Sequence, residues 1–255
     1  MARFHKGMLK SIWMKVNGTS MHARLSENAV PPTAATVVLV HGLSVSSRYM
    51  VPTALRLAAY YHVYLPDLPG FGKSAKPSHI LTVAELADAL ADWMQAMGLP
   101  PAVLLGNSMG CQIIVNFALK YPERITHAVL VAPTMDPKVR SISQAALRLA
   151  LDMPCEPLSF LPVLVREYLA AGLRRTLRTL QYAFADRMEE HLPRVQTPTL
   201  IVRGARDTIV GQEWTEQVHQ LLPDSQLVVV RRAGHAVNFN SPDQLVRIVR
   251  SFLSK

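Results

Sequence analysis

Cysteine is scarce in this chain. Two cysteines in 255 residues exclude a disulfide scaffold, and Cys111 and Cys155 are expected to be free thiols, as suits a reducing cytoplasm. No apolar run reaches the roughly eighteen residues that a membrane-spanning helix needs. The amino terminus carries Arg3, Lys6 and Lys10, but no apolar stretch of about 7 to 15 residues follows, so no secretory leader is expected. Acidic residues are also few, 18 against 27 basic ones, for a net charge of +9. An excess of that size raises the question of a nucleic-acid partner. None is expected, because the basic residues are scattered rather than striped and no nucleic-acid motif accompanies them. The densest group, Arg174, Arg175 and Arg178, is either a solvated helix face or a rim that attracts anionic substrates. The His, Cys and acidic residues show none of the usual metal spacings, and no glycine loop cradles a phosphate. Neither metal nor cofactor is expected.

What the chain has in quantity is apolar side chains. At 49% hydrophobic content it can build a large core, and its length suits one α/β domain carrying an insertion. Ser11 to Val16 and Met21 to Leu25 read as an antiparallel pair around Asn17-Gly18, a strong hairpin signal. Apolar runs then alternate with helical periodicity: Val37 to Val40, His62 to Leu65, Val103 to Leu105, Ala128 to Val131, Leu200 to Val202 and Leu227 to Val230. Such alternation predicts a mostly parallel sheet with helices on both faces. Thr82-x-x-Glu85 is a capping box that opens an amphipathic run stopped by Gly98, and Ser241-Pro242-x-Gln244 similarly opens the last helix. The helix starting near Cys111 should bury Ile113, Ile114, Phe117 and Ala118 and end before Pro122.

Thr134 to Gln196 breaks the alternation. It has no strand-like runs, and helices are predicted around Ser143 to Leu151, Leu161 to Ala171 and Leu173 to Met188. Leu147, Leu151, Met153, Leu158, Phe160, Leu164, Val165, Tyr168 and Leu169 must pack on the core or line a site, and most of them are assigned to packing.

Chemistry concentrates at Gly106-Asn107-Ser108-Met109-Gly110, between a buried strand and a helix. A Ser between two glycines at such a junction is the nucleophile-elbow pattern. The turn is too sharp for side chains at the flanking positions, and it leaves the hydroxyl exposed. A hydroxyl is a poor nucleophile at neutral pH without a base and an acid that orients the base. Asp207 follows the strand Pro198 to Val202, and His235 follows the strand Gln226 to Val230, giving the chain order Ser108, Asp207, His235.

With Val38-Leu39-Val40-His41-Gly42-Leu43 and Leu65-Pro66-Asp67-Leu68-Pro69-Gly70-Phe71-Gly72-Lys73-Ser74, these residues resemble the α/β-hydrolase fold superfamily over nearly the full chain. The resemblance implies a mostly parallel eight-stranded sheet flanked by helices, with a helical cap inserted after strand 6. Residues 1–133 and 196–255 would form the core and 134–195 the cap. It implies catalytic roles for Ser108, Asp207 and His235, with Asp136 as the alternative acid after strand 6. Backbone N–H groups of Leu43 and Met109 would form the oxyanion hole, with His41 structural, Ser44 an open possibility as a further donor, and Asp67 organising the strand 4 loop.

The implied activity is hydrolysis of small-to-medium apolar carboxylic esters through an acyl-enzyme. The elbow is also similar to that of the meta-cleavage-product hydrolases, which cut carbon–carbon bonds. Those enzymes usually have a Gly where this chain has Cys111, a Trp where it has Ala236, and a glycine-rich loop where it has Leu43-Ser44-Val45-Ser46. A ligand-binding, receptor-like module is a third reading. The expected partner is a small molecule, and a homo-oligomer is possible.

Overall fold

The computed structural model describes residues 9–27 and 30–254; Arg3 and Lys6 fall outside them. The hairpin predicted at Asn17-Gly18 forms between β1, Leu9–Val16, and β2, Thr19–Ser26. Both turn residues have positive φ, 47° and 81°, as the two-residue turn demands. The other strands are β3 (Thr36–Val40), β4 (His62–Pro66), β5 (Ala102–Asn107), β6 (Ile125–Val131), β7 (Thr199–Gly204) and β8 (Ser225–Val230). They make one eight-stranded sheet in the order β1-β2-β4-β3-β5-β6-β7-β8. Only the β1/β2 and β2/β4 pairs are antiparallel.

Strand alternation divides the core into two layers. Val38, Val40, Leu104 and Ile201 face one side, together with α2 (Val83–Ala96), α3 (Met109–Lys120) and Trp214. Val37, Leu39, Val103, Leu105, Leu200 and Val202 face the other, under α1 (Ser47–Leu57). Both faces of the central strands are therefore covered, which is why they read as continuous apolar runs. The chain leaves β3 in one direction to β4 and then crosses to β5 on the other side. The crevice beyond the carboxyl ends of β3 and β5 is thus the switch point where open α/β sheets bind ligands.

Between β6 and β7 the chain forms α4 (Ile142–Asp152), α5 (Leu161–Ala171), α6 (Leu173–Ala185) and the single turn α7 (Met188–His191). The predicted helix from Leu173 to Met188 stops early because Asp186 is turned out of it. Gln112 and Asn116 of α3 donate to the Asp186 carboxylate at 2.8 and 2.9 Å, and its backbone becomes extended. After β7 come α8 (Gln212–Leu221), then, beyond β8, α9 (Val237–Asn240) and α10 (Pro242–Leu253).

Other expectations need correction. α3 is buried from Met109 through Ala118 rather than on one face, since it is wedged between the sheet, α2 and α7. Ser241 stands at the start of α10 but its side chain does not cap it. Of the nine apolar residues assigned to packing or the site, Leu147, Leu151, Leu158, Val165 and Leu169 are exposed. The helical repeat turns Leu164 and Tyr168 inward and leaves Val165 and Leu169 on the opposite face of α5.

The capping box on α2 is complete. Thr82 Oγ1 accepts from the Glu85 N–H at 3.3 Å, and Glu85 accepts from the Thr82 N–H at 2.7 Å. Thr82→Ala should lower stability by about 1 kcal/mol, or about 2–4 °C in a thermal melt, with hydrolytic activity unchanged.

Candidate active site

Ser108 joins β5 to α3 with φ 58° and ψ −125°, a conformation that strains any side chain larger than hydrogen. It is held by the packing of its neighbours. A Cβ on Gly106 would lie 2.7 Å from the backbone of Gly110, and one on Gly110 would lie 2.5 Å from the Val40 carbonyl oxygen. The glycines let α3 seat directly on β3. The Ser108 N–H donates to the Val131 carbonyl at 2.9 Å, fixing the elbow to β6.

Asp207 and His235 come together as expected. Asp207 is buried, its Oδ1 accepts from the N–H groups of Ile209 and Val210, both at 2.8 Å, and its Oδ2 lies 3.0 Å from His235 Nδ1. The carboxylate is thus oriented by its own loop before it orients the imidazole, and His235 lines the cavity. Asp136 borders the same cavity but is bonded to other partners. It accepts from the Lys138 N–H at 2.9 Å and sits 3.9 Å from Arg148. Ser108 and His235 line one cavity of about 260 Å³ at the carboxyl end of the sheet, without a direct hydrogen bond between them; such contacts often tighten only with substrate bound.

Leu43 and Met109 line the same cavity. The Met109 N–H belongs to the first turn of α3, where no intrahelical acceptor exists and the helix dipole favours negative charge. The Ser44 hydroxyl shares a 2.7 Å hydrogen bond with Thr176. His41 is buried, its Nδ1 donates to Gly42 O at 3.0 Å and its Nε2 accepts from the Leu68 N–H at 3.0 Å. Burial lowers its pKa, against smaller upward effects from Gly42, Asp67 and Glu167. Its neutral ring therefore braces two loops. Asp67 ties β2, α1 and the strand 4 loop by accepting from the N–H groups of Ser47 and Lys73 and pairing with His22. Burial alone would raise its pKa, but these hydrogen bonds hold it at about 2.

A second Ser, His and Asp constellation lies in the hairpin. Ser11 Oγ is 3.0 Å from His22 Nε2, and His22 Nδ1 is 2.7 Å from Asp67. Ser11 is in the middle of β1, paired with Arg24, and it does not border the cavity. Hydrogen-bond geometry among three side chains does not make an active site without a place for the oxyanion.

Comparison with known proteins agrees with the geometry. The model of the alpha/beta hydrolase family matches residues 37–248. The chain belongs to the alpha/beta hydrolase family. Among relatives of this hydrolase, Carboxylesterase YbfK of Bacillus subtilis is 27% identical over 88% of this chain and 81% of its own length. The crystal structure of that carboxylesterase superposes with a TM-score of 0.78, covering 96% of this chain and 92% of the other. Lipase 3 of a Moraxella species is 30% identical over 80% and 72%, and the Putative carbamate hydrolase RutD of Yersinia enterocolitica is 28% identical over 87% and 88%.

Three features of this hydrolase were not read from the sequence. Asn107, noted only as part of the elbow, donates to Val131 O and His235 O, both at 3.3 Å, and accepts from Tyr49 at 2.8 Å, linking the elbow to the histidine loop. The Cys111 thiol donates to Gly106 O and Val131 O, and burial pushes its pKa up, so it is inert. Most telling is the segment from Arg148 to Glu156. Arg148 donates to Ile209 O at 2.9 Å, Asp152 accepts from the Thr208 N–H at 3.3 Å, and Glu156 accepts from the Ala236 N–H at 2.7 Å and from Asn240 at 2.9 Å. The inserted helices are thereby tied to both the Asp207 loop and the His235 loop. A helical pattern alone offers no signal for this, because the partners are backbone groups distant in sequence.

These carboxyls also set the charge around the imidazole. Burial works to lower the His235 pKa, but Asp207, by charge and hydrogen bond, together with Asp152 and Glu156, carries it above 6.5. Burial, assisted by the Asp152 charge, lifts Glu156 from 4.5 to about 7. A carboxyl raised on folding contributes stability that is full below 4.5 and lost as pH rises through about 7. Glu156→Gln keeps the acceptor for Ala236 but cannot ionise. Its melting temperature relative to wild type should therefore rise between about pH 5 and pH 8, by on the order of 5 °C for about 2 kcal/mol. The acid limb of kcat/KM should move to lower pH, because one negative charge beside His235 is gone. Parallel melting curves and an unmoved limb would contradict this account.

Proposed function

We propose that the protein is a serine hydrolase of small-to-medium apolar carboxylic esters. The observation that carries this reading is the oriented Asp207–His235 pair opening onto the same cavity as Ser108 at its positive-φ elbow. In this reading residues 134–195 act as a cap over a core of 1–133 and 196–255. His235 Nε2 takes the Ser108 proton while Oγ attacks the ester carbonyl, and the Nδ1–H stays on Asp207. The Leu43 and Met109 N–H groups receive the developing oxyanion. Collapse expels the alcohol, protonated by His235, and leaves an acyl-enzyme; water, giving a proton to His235, attacks the acyl carbon, and His235 returns that proton to Ser108 Oγ as the acid leaves. Two free thiols fit a cytoplasmic site of action.

The cavity supports the substrate class. Apart from Arg148, Asp152 and Glu156, which are committed to the loops, the inserted helices contribute mainly aliphatic and aromatic groups, among them Leu149, Met153, Leu164 and Phe184. Such a lining rewards apolar substrate surface at about 25 cal/mol per Å². About 260 Å³ is small for a long acyl chain.

A serine-directed phosphonate should add one equivalent at Ser108 by peptide mass spectrometry. Ser108→Ala should lose on the order of 10⁴ to 10⁶ in rate, while Ser11→Ala keeps the wild-type rate. Asp207→Asn should lower kcat at least about 10²-fold, with Asp136→Asn within a few-fold of wild type. The reverse ranking would move the acid to the end of β6.

Across p-nitrophenyl esters of about two to sixteen carbons, kcat/KM should peak below about ten. A maximum at the long end would mean an open groove. Rapid cleavage of a ring-fission dienoate with esters poor would favour carbon–carbon hydrolysis, and tight binding without turnover would favour a receptor-like module.

A further inference from the structure

The outer face of the inserted helices is apolar over an unusual length. Leu158, Leu161, Val165, Leu169 and Leu173 follow one another at three- and four-residue steps, and Leu158 and Leu169 are 90% and 77% exposed. α4 also exposes Leu147 and Leu151, Leu147 to 61%. Between Ser141 and Val165 the charged residues are Arg148, Asp152 and Glu156, none of them fully exposed, and all three are drawn inward by the bonds to the catalytic loops. Isolated exposed leucines are ordinary, but seven exposed aliphatic side chains in a segment whose carboxylates are all withdrawn mark a contact surface.

The rim of that face has one sign. From Ser141 to Ala185 the acidic residues are Asp152, Glu156 and Glu167, and none is exposed; Glu167 is paired with Arg48 at 3.3 Å. Arg166, Arg174 and Arg178 are exposed, and none forms an ion pair among the described residues. A second copy docked through a two-fold axis would set this cationic rim against itself. An anionic lipid surface matches both parts, taking the leucines into the acyl boundary and the guanidinium groups among the headgroups. The face also continues into the cavity, since Ile142 and Ala146 are exposed and line it as well.

We propose that the outer face of α4 and α5, rimmed by Arg166, Arg174 and Arg178, docks this protein on an anionic membrane surface. The docking is peripheral, since no helix among the described residues is long and apolar enough to cross a membrane. It places the cavity beside the acyl boundary, where apolar substrates dissolve. The proposal does not require the hydrolase reading, because binding is measured without turnover.

Co-sedimentation of the full chain with phosphatidylcholine vesicles, with and without about one-third phosphatidylglycerol, tests it. Binding is expected to the anionic vesicles, falling at least about tenfold on neutral vesicles or at about 0.5 M salt. The double variant Leu158→Asp/Leu169→Asp should lose binding while keeping its circular dichroism and its turnover of a water-soluble ester, as neither side chain borders the cavity. Arg166→Gln/Arg174→Gln should bind about tenfold more weakly. In the Leu158→Trp variant, added emission should be quenched by brominated lipid. Absence of wild-type binding, binding indifferent to the aspartate pair, or light scattering in which that pair converts a dimer to a monomer would each overturn the proposal, the last by assigning the face to self-association.

Discussion

The seating of α3 on the sheet is the constraint from which the rest follows. Gly110 lies so close to β3 that even a methyl group would meet the Val40 carbonyl. The helix can start only where β5 has turned through a positive-φ residue, and that residue is Ser108. The same contact aims the first turn of α3 at the mouth of the crevice between β3 and β5, so the position of Ser108, the first-turn N–H of Met109 and the switch point share one geometric origin. Removing the constraint would relax the elbow and disperse the site without changing any polar residue.

Around that point the molecule uses polar bonds chiefly to align loops. Asn107 ties the elbow to the histidine loop, His41 braces the strand 3 and strand 4 loops, and Asp67 joins the hairpin to α1. Apolar burial in the two layers supplies cohesion, but it is indifferent to small rotations of loops. The hydrogen bonds choose among those rotations.

Much of this was legible in the chain because local rules act locally. The Asn17-Gly18 hairpin, the buried strands, the Thr82 cap and the glycines flanking Ser108 each rest on residues near one another in sequence, and Asp207 and His235 were each placed by the strand just before them. What escaped depends on distant partners. The break before Met188 arises because Gln112 and Asn116 draw Asp186 away, and the inward turn of Asp152 and Glu156 depends on backbone donors at 208 and 236. Hydrophobicity also misled on the outer face. A leucine on a helix reads as core when only the helix is considered, yet α5 has leucines on both sides and only one side has a neighbour within the molecule.

The ties from Arg148, Asp152 and Glu156 bear on how such a protein diverges. In a modular picture the helices between β6 and β7 can be exchanged among relatives like a replaceable cover, altering selectivity while the chemistry stays put. Here the inserted segment is also bonded to the Asp207 and His235 loops. A foreign segment lacking these three side chains would bring a new pocket wall and a loosened imidazole together. Changes of substrate are then most accessible through point substitutions on the inner faces of α4 to α6, and wholesale exchange of the segment requires that the three anchors be carried with it.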